Sequence, residues 1–220
     1  ASFGKIAHGN KKFEGLDFNE PKRTDMCVEV EKYFKNNKID GPICLLVGDR
    51  RPHVEWTKEM NFDPKKVTLP SFFIDTQETR EHWARYLTDI EGMDQEMGRV
   101  LKFAKKKFGD NFIFMFTSDH GGQWPFGKWN LYDYGTRVPL QVRWPGKIKA
   151  GVRTDAMVSW VDILPTLIDL ASGKVPSDID GKSFAPVLLG ESKKHRDMIF
   201  TTNTGDKEMN IFPIRSVRAG

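Results

Sequence analysis

A short apolar run that ends in a polar turn is the feature that most constrains how this chain can fold. Ile113 to Phe116 are all large and apolar, and Thr117 and Ser118 lead out of the run. A continuous apolar run of this length predicts a strand that is buried on both faces, as in the parallel sheets of α/β proteins. Asp119 and His120 then stand where the backbone turns.

The carboxyl end of a strand is where open α/β sheets bind ligands, because the loops there are free of the packing demands on the strand. Gly121 and Gly122 follow and would let the chain fold tightly around whatever Asp119 and His120 hold. The alternative, judged on the dipeptide alone, is that Asp119 caps a turn and His120 is a loop histidine with its hydrogen bonds satisfied.

The remaining patterns predict alternating helices and strands. We expect helices over 24–37 and 76–108, and strands over 42–47, 138–144 and 157–160. Apolar residues recur at spacings of three and four through the long helix, which predicts a stripe against a sheet. Together the elements predict an α/β fold with a mixed sheet sandwiched between helices.

Three specific predictions concern the long helix and the loop that precedes it. Asp75 with Glu78 is a candidate capping box at its start. The acidic and amide residues off the apolar stripe are expected to form a solvated face: Asp89, Glu91, Asp94, Gln95 and Glu96. The preceding segment, 50–71, contains Pro52, Pro64 and Pro70 and is predicted to be a long irregular loop. A loop of this length in a compact domain is usually functional.

The window after the apolar run resembles the sulfatase family of the alkaline phosphatase superfamily. The matching segments are Ser118-Asp119-His120-Gly121, Lys128, and Gly135-Thr136-Arg137-Val138-Pro139. The resemblance implies an alkaline-phosphatase-like fold, a divalent metal, usually Ca²⁺, bound by Asp119 and His120, and a sulfate contact from Lys128. A carboxylate suits Ca²⁺ or Mg²⁺, whereas an imidazole suits softer metals, so the residues themselves leave the identity of the metal open.

Two further segments resemble motifs of the same family. The first, Gly4-Lys5-Ile6-Ala7-His8, implies that Lys5 stabilises the alkoxide of a covalent intermediate and that His8 acts as an acid or base. The second follows the strand at 42–47 and implies that His53 contacts the sulfate and protonates the leaving group. The alternatives are a solvated lysine and surface histidine at a chain terminus, and an ordinary loop histidine.

Framework segments extend the resemblance over almost the whole chain. These are Asp162 to Leu167, the Asp180-Gly181-Lys182-Ser183 turn, and the run from Phe200 to Arg218 with Asn203. The last is most like heparan N-sulfatase (sulfamidase) and iduronate-sulfatase members of the family.

The resemblance also implies parts that this sequence does not contain. The family's nucleophile is a formylglycine made from a Cys-x-Pro-Ser-Arg segment, and neither Cys27 nor Cys44 stands in that context, so both are interpreted as packed thiols. An early pair of aspartates that would supply more metal oxygens is absent too. We therefore expect residues 1–220 to be a partial catalytic domain, without the nucleophile segment and the C-terminal subdomain, and inactive by itself.

The predicted function is hydrolysis of sulfate esters or N-sulfates in sulfated carbohydrate, with a net charge of +4 that suits an anionic substrate. The alternatives are a phosphodiesterase or phosphonate hydrolase of the same superfamily, and a non-catalytic glycan-binding relative. The apolar runs are far shorter than the roughly 20 residues that span a bilayer, and no nucleic-acid site is expected. By resemblance the protein would be periplasmic, secreted or lysosomal.

Overall fold

The computed structural model describes residues 1–4, the backbone of 19–20, residues 25–205 and residues 212–220. The chain forms two compact units, Ala1–Gly109 and Asp110–Gly220, which are described separately. Lys5 and His8 lie outside the described residues. Among the described residues, no helix is long and apolar enough to cross a membrane.

Unit 1 contains a small parallel sheet with the strand order β2-β1-β3. The strands are β1 (Ser2–Gly4), β2 (Asn19–Glu20) and β3 (Leu46–Gly48). The predicted strand at 42–47 therefore begins later than expected, because Leu46 is the first of its residues to pair with β1, opposite Ser2. Cys44 lies before the paired residues and is exposed, so its interpretation as a packed thiol is wrong.

Helix α1 (Met26–Asn36) confirms the helix predicted over 24–37 and contributes to the apolar core of unit 1. Val30 and Phe34 are buried together with Phe3 of β1. The ring of Phe34 also lies 5.3 Å from that of Phe103, which belongs to the long helix. Strand, short helix and long helix thus share one aromatic cluster.

Helix α2 (Gln77–Phe108) confirms the predicted long helix, but its N-cap differs from the prediction. The cap is Thr76, whose hydroxyl accepts a hydrogen bond from the Thr79 N–H at 3.1 Å. Asp75 instead accepts a hydrogen bond from Arg80 Nη2 at 2.7 Å. The predicted capping box at Asp75 and Glu78 is wrong because the threonine hydroxyl stands one residue nearer to the unpaired N–H groups of the first turn.

The predicted solvated face of α2 is wrong for two of its residues. Asp89 is 8% exposed and Glu96 2% exposed. Glu96 Oε1 accepts the Cys27 N–H at 2.7 Å, at the start of α1, and Asp89 Oδ2 accepts the Thr57 N–H at 3.4 Å. Periodicity located both carboxylates off the apolar stripe, but it could not show that backbone N–H groups of other segments cover them.

Unit 2 contains two antiparallel strand pairs. The first joins β4 (Phe114–Thr117) to β5 (Leu140–Arg143), and the second joins β6 (Met198–Asn203) to β7 (Ile214–Ala219). The strands predicted at 113–116 and 138–144 are confirmed with shifted bounds. The residues of β4 are half-buried in this unit rather than buried on both faces.

The strand predicted at 157–160 is wrong. Met157 forms an isolated antiparallel bridge with Arg196, and a 3-10 helix follows at Trp160–Asp162. The Ser159 and Asp162 side chains form a capping box that turns the backbone into helix α4 (Ile163–Leu170). Two helices of four residues each complete the unit: α3 (Asp133–Thr136) and α5 (Ala185–Leu188).

The carboxylate of Asp162 is fully buried and joins three segments of unit 2. Its oxygens accept the Ser159 N–H at 3.0 Å, the Lys182 N–H at 2.9 Å and the Arg196 Nε–H at 2.7 Å, and one of them lies 3.0 Å from His195 Nε2. Burial raises the pKa of Asp162, but these hydrogen bonds outweigh burial and lower the pKa to about 2.

We expect Asp162→Asn to reduce the free energy of unfolding by roughly 3 kcal/mol or more, because it leaves the Arg196 guanidinium without its counter-charge in a buried setting. Asp155→Asn makes the same chemical change at an exposed position and should cost little. Urea denaturation of both variants checks this, and equal midpoints would contradict it.

The same carboxylate predicts an acid limit to stability. Its pKa is about 2 in the folded state against an ordinary value of 3.8, so it contributes about 2 kcal/mol of stability that is fully present above pH 3.8 and is lost as the pH falls towards 2. Urea midpoints measured between pH 5 and pH 2 should show this loss in the native protein. In Asp162→Asn the pH dependence should be correspondingly smaller.

Candidate functional site

The turn after β4 is fixed by side chains that bond to backbone carbonyls. Thr117 Oγ1 donates to the carbonyl of Pro139 at 2.7 Å, which ties the end of β4 to the approach to β5. Ser118 Oγ donates to the carbonyl of His120 at 2.8 Å and closes the turn. Asp119 and His120 therefore stand at the carboxyl end of a strand, as predicted.

Close backbone contacts explain the glycines of this segment. Gly121 N–H donates to the Gly135 carbonyl at 3.0 Å, and a Cβ at Gly121 would lie 1.6 Å from the Tyr134 carbonyl oxygen. At Gly127 a Cβ would lie 2.1 Å from the Gly122 carbonyl oxygen. No side chain fits at these positions unless the backbone moves, which agrees with the expectation for Gly121.

The Gly122 carbonyl brings the backbone of Lys128 to the same turn. Its oxygen accepts the Trp124 N–H at 2.8 Å and the Lys128 N–H at 2.9 Å. Two donors on one carbonyl fold residues 122–128 into a compact loop beside Asp119 and His120. Lys128, Asp119 and His120, which are separate in the sequence, thus belong to one hydrogen-bonded loop cluster.

The hydrogen bonds of His120 determine which ring nitrogen carries the proton. Nδ1 lies 2.8 Å from the Gly121 carbonyl oxygen, and a carbonyl can only accept, so Nδ1 is protonated and Nε2 carries the lone pair. Nε2 lies 3.5 Å from Asp119 Oδ2, and the Asp119 side chain is 71% exposed. An acceptor nitrogen and a carboxylate oxygen therefore stand next to each other.

This arrangement fits two ligands of a metal ion. Histidine ligands commonly donate their other ring N–H to a backbone carbonyl, as His120 does to Gly121. Within the described ranges, no three histidine, cysteine, aspartate or glutamate side chains are grouped closely enough to hold a metal. Ca²⁺ normally takes six to eight oxygens, so Asp119 and His120 can be only part of such a site.

Lys128 is followed by a residue with an unusual backbone conformation, Trp129. Its Nζ lies over the Trp129 ring, 5.2 Å from the centroid. Trp129 has φ 69°, a left-handed conformation that bulky residues rarely adopt and that costs of order 1–3 kcal/mol. Asn203 Nδ2 in β6 donates to the Trp129 carbonyl at 3.0 Å and supports this conformation. The sequence gives no sign of a left-handed tryptophan.

Strand β7, the partner of β6, contacts the segment between Lys128 and Gly135. Arg218 of β7 forms an ion pair with Asp133, which begins α3 between Lys128 and Gly135. Strands β6 and β7 therefore both contact the segment that follows Lys128, at Trp129 and at Asp133. The run from Phe200 to Arg218 was singled out by resemblance alone, and its contact with this segment could not be foreseen.

His53 lies in unit 1, on the long loop between β3 and α2, which contains no helix or strand. Its N–H donates to the Arg50 carbonyl at 2.9 Å, and its Nδ1 contacts the Val54 carbonyl oxygen. As for His120, the carbonyl requires the proton on Nδ1 and leaves the lone pair on Nε2. Trp56 follows, with its ring centroid 5.7 Å from that of Tyr86 in α2.

The predicted site residues therefore fall into three groups. Asp119, His120 and Lys128 come together in one loop cluster of unit 2. His53 stands on an ordered loop of unit 1. Lys5 and His8 are outside the described residues.

Comparison with known proteins shows the family. The sulfatase family model matches residues 6–174. An ulvan-active sulfatase of Formosa agariphila is 32% identical over 201 residues, which cover 86% of this chain and 38% of that protein. Human N-sulphoglucosamine sulphohydrolase is 32% identical over 176 residues, which cover 74% of this chain and 34% of the relative. The chain thus spans little more than a third of these relatives.

Solved structures show the fold. A putative sulfatase of Bacteroides thetaiotaomicron aligns with a TM-score of 0.71 at 22% identity, over 99% of this chain and 60% of its own. A phosphonate monoester hydrolase of Silicibacter pomeroyi aligns with a TM-score of 0.65 at 23% identity, over 80% and 44%. The predicted α/β fold of the alkaline phosphatase type is confirmed, and the chain belongs to the sulfatase family.

Proposed function

We propose that this chain is part of the catalytic domain of a sulfatase that hydrolyses sulfate esters or N-sulfates of sulfated carbohydrates. The observation that carries the proposal is the loop cluster, in which the Gly122 carbonyl holds the backbone N–H of Lys128 in the turn that follows Asp119 and His120. A lysine on the same loop as two candidate metal-ligand atoms suits a tetrahedral anionic group. The names of relatives that act on ulvan or on N-sulphoglucosamine support a carbohydrate substrate.

Lys128 would stabilise the sulfate oxygens as negative charge redistributes in the transition state. A positioned cation lowers the barrier most where its geometry is set before the reaction, since no reorganisation is then needed. The two bonds to the Gly122 carbonyl and the support of Trp129 by Asn203 provide that order in the backbone. By resemblance Lys5 would assist in the same way.

His53 would act on the leaving group. With Nδ1 held by the Val54 carbonyl, the nitrogen that can gain and lose a proton is Nε2. Protonated there, the imidazolium would donate to the bridging oxygen or nitrogen as the bond to sulfur breaks. His8 would serve as a second acid or base, as the resemblance implies.

Asp119 Oδ2 and His120 Nε2 would hold part of the divalent metal site, which we propose to be a Ca²⁺ site completed by residues elsewhere in the protein. A bound cation would supply polarisation of the sulfate oxygens. The lone pair on His120 Nε2 and the exposed carboxylate of Asp119 support this assignment.

The nucleophile would be a formylglycine in a segment outside residues 1–220. Neither cysteine of this chain is suited to the role. Cys27 is buried, and burial raises the pKa of its thiol, which disfavours the reactive thiolate. Cys44 is exposed but stands without the Pro-Ser-Arg context of the modified residue. We propose a periplasmic, secreted or lysosomal location for the whole protein, as the resemblance implies.

A phosphonate or phosphodiester hydrolase is the second candidate function. The phosphonate monoester hydrolase that shares the fold favours it, because sulfate and phosphonate esters are both tetrahedral anions. A non-catalytic relative that binds sulfated glycans is the third candidate. Assays of the whole protein on sulfated glucosamine and on a phosphonate monoester separate the three, since the non-catalytic protein would cleave neither.

We expect Lys128→Ala in the whole protein to lower kcat/KM for sulfate release by roughly 10²–10³-fold, because a charged donor to the transition state is lost. Lys147→Ala removes an exposed lysine of the same unit and should leave the rate unchanged. Steady-state kinetics of the two folded variants check this. Equal rates would remove Lys128 from the proposed mechanism.

We expect Asp119→Asn in the whole protein to weaken Ca²⁺ binding by at least roughly tenfold, because a neutral amide oxygen replaces a carboxylate oxygen. His120→Ala should also weaken binding. Titration calorimetry with CaCl₂ on metal-stripped protein is the measurement, with Asp155→Asn as the matched control. Affinity that survives both site substitutions would place the metal elsewhere.

A further inference from the structure

Gly92 stands inside helix α2, where glycine is unfavourable. In a helix interior glycine is less favourable than alanine, because it loses more conformational freedom on folding. A Cβ at Gly92 would lie 2.5 Å from Arg51 Nη1, so the guanidinium occupies the space that a side chain would take. Gly98 lies in the same helix, and a Cβ there would meet nothing within 4 Å. The two glycines differ in this one neighbour.

Arg51 is held in that space by Asp49, whose side chain is 5% exposed. Arg51 Nε donates to Asp49 Oδ1 at 3.1 Å and Nη2 donates to Oδ2 at 2.7 Å. The backbone N–H of Arg51 also donates to Asp49 Oδ1 at 2.8 Å. Two parallel bonds between a planar fork and a carboxylate fix the orientation of both groups.

This pair stands at the start of the turn that presents His53. Asp49 directly follows β3, and the His53 N–H bonds to the carbonyl of Arg50, the residue between Asp49 and Arg51. On the far side of His53, the Thr57 N–H bonds to Asp89 of α2. The turn therefore contacts α2 on both sides of His53: the Arg51 side chain packs at Gly92 before it, and the Thr57 N–H bonds to Asp89 after it.

We infer that Arg51 and Gly92 are positioning residues for His53. The missing side chain of Gly92 leaves room for the Arg51 guanidinium against α2, and the guanidinium in turn holds Asp49 and the turn that carries His53. Arg51 and Gly92 act through the backbone of the turn and not on the substrate. The catalytic consequence rests on the proposed function of His53, whereas the positioning itself does not.

A cavity beside the guanidinium makes the inference testable. It has a volume of about 180 Å³ and is lined by residues of the loop and of α2, among them Arg51, Thr57, Thr88, Asp89 and Gly92. An alanine at position 92 can be accommodated if the end of the flexible Arg51 side chain moves into this space. The helix gains a better helix former, while Arg51 leaves its place between Gly92 and Asp49.

The experiment compares Gly92→Ala with Gly98→Ala in the whole protein. The histidine ring signals are followed by NMR as the pH is varied, and His53→Ala identifies the signal of His53. We expect Gly92→Ala to shift the His53 signal and its titration midpoint and to lower kcat by roughly 10- to 10²-fold. Gly98→Ala should do neither, and it should keep or raise the melting temperature. Equal behaviour of the two variants would overturn the inference.

A double-mutant cycle shows whether Gly92 acts through Arg51. Arg51→Ala alone should shift the His53 signal, and adding Gly92→Ala should change it little further, because the clashing group is already gone. A full additional effect of Gly92→Ala would contradict the inference. If Gly92→Ala fails to fold, Arg51→Ala decides by itself, and an unchanged His53 signal then overturns the inference.

The activity of His53→Ala separates the two proposals. If this variant retains full turnover, the proposed role of His53 in catalysis fails. The NMR comparison still decides whether Arg51 and Gly92 position the ring, because that readout does not depend on activity.

Discussion

The carbonyl oxygen of Gly122 is the point on which the candidate site depends. It accepts two backbone N–H groups, one of them from Lys128, and so folds the chain after β4 into a compact loop. Without side chains at Gly121, Gly127 and Gly135, the backbone can approach itself closely enough for these bonds. The cost of the left-handed conformation at Trp129 is offset in part by the bond from Asn203. Local strain of this kind is typical of functional sites.

In unit 1 the loop that carries His53 is ordered by hydrogen bonds to side chains. The loop that carries His53 has no regular structure, yet the Asp49–Arg51 pair orders its start and the Thr57–Asp89 bond ties it to a helix of 32 residues. A histidine that exchanges a proton needs a defined ring orientation, and hydrogen bonding of Nδ1 to a carbonyl supplies it. Units 1 and 2 thus each order a candidate functional loop through hydrogen bonds.

The sequence predicted the elements better than the contacts between them. Helix α2 follows from apolar periodicity and strand β4 from a continuous apolar run, because both patterns are local. Asp89 and Glu96 were assigned to solvent because nothing local shows which distant N–H groups approach them. The Asp119, His120 and Lys128 set came from the family motif, whereas Trp129, Asn203, Arg51 and Gly92 were missed. Gly92 and Gly98 look alike in the sequence, and only the position of Arg51 distinguishes them.

The central claim is that this fold carries sulfatase chemistry on a carbohydrate. The most direct measurement is release of inorganic sulfate by the whole protein from N-sulfated and O-sulfated glucosamine, beside release of phosphonate from a phosphonate monoester at the same enzyme concentration. The account predicts that sulfate is released with a much higher kcat/KM than phosphonate. A higher kcat/KM on the phosphonate monoester, or no release from any substrate by folded protein supplied with Ca²⁺, would contradict it.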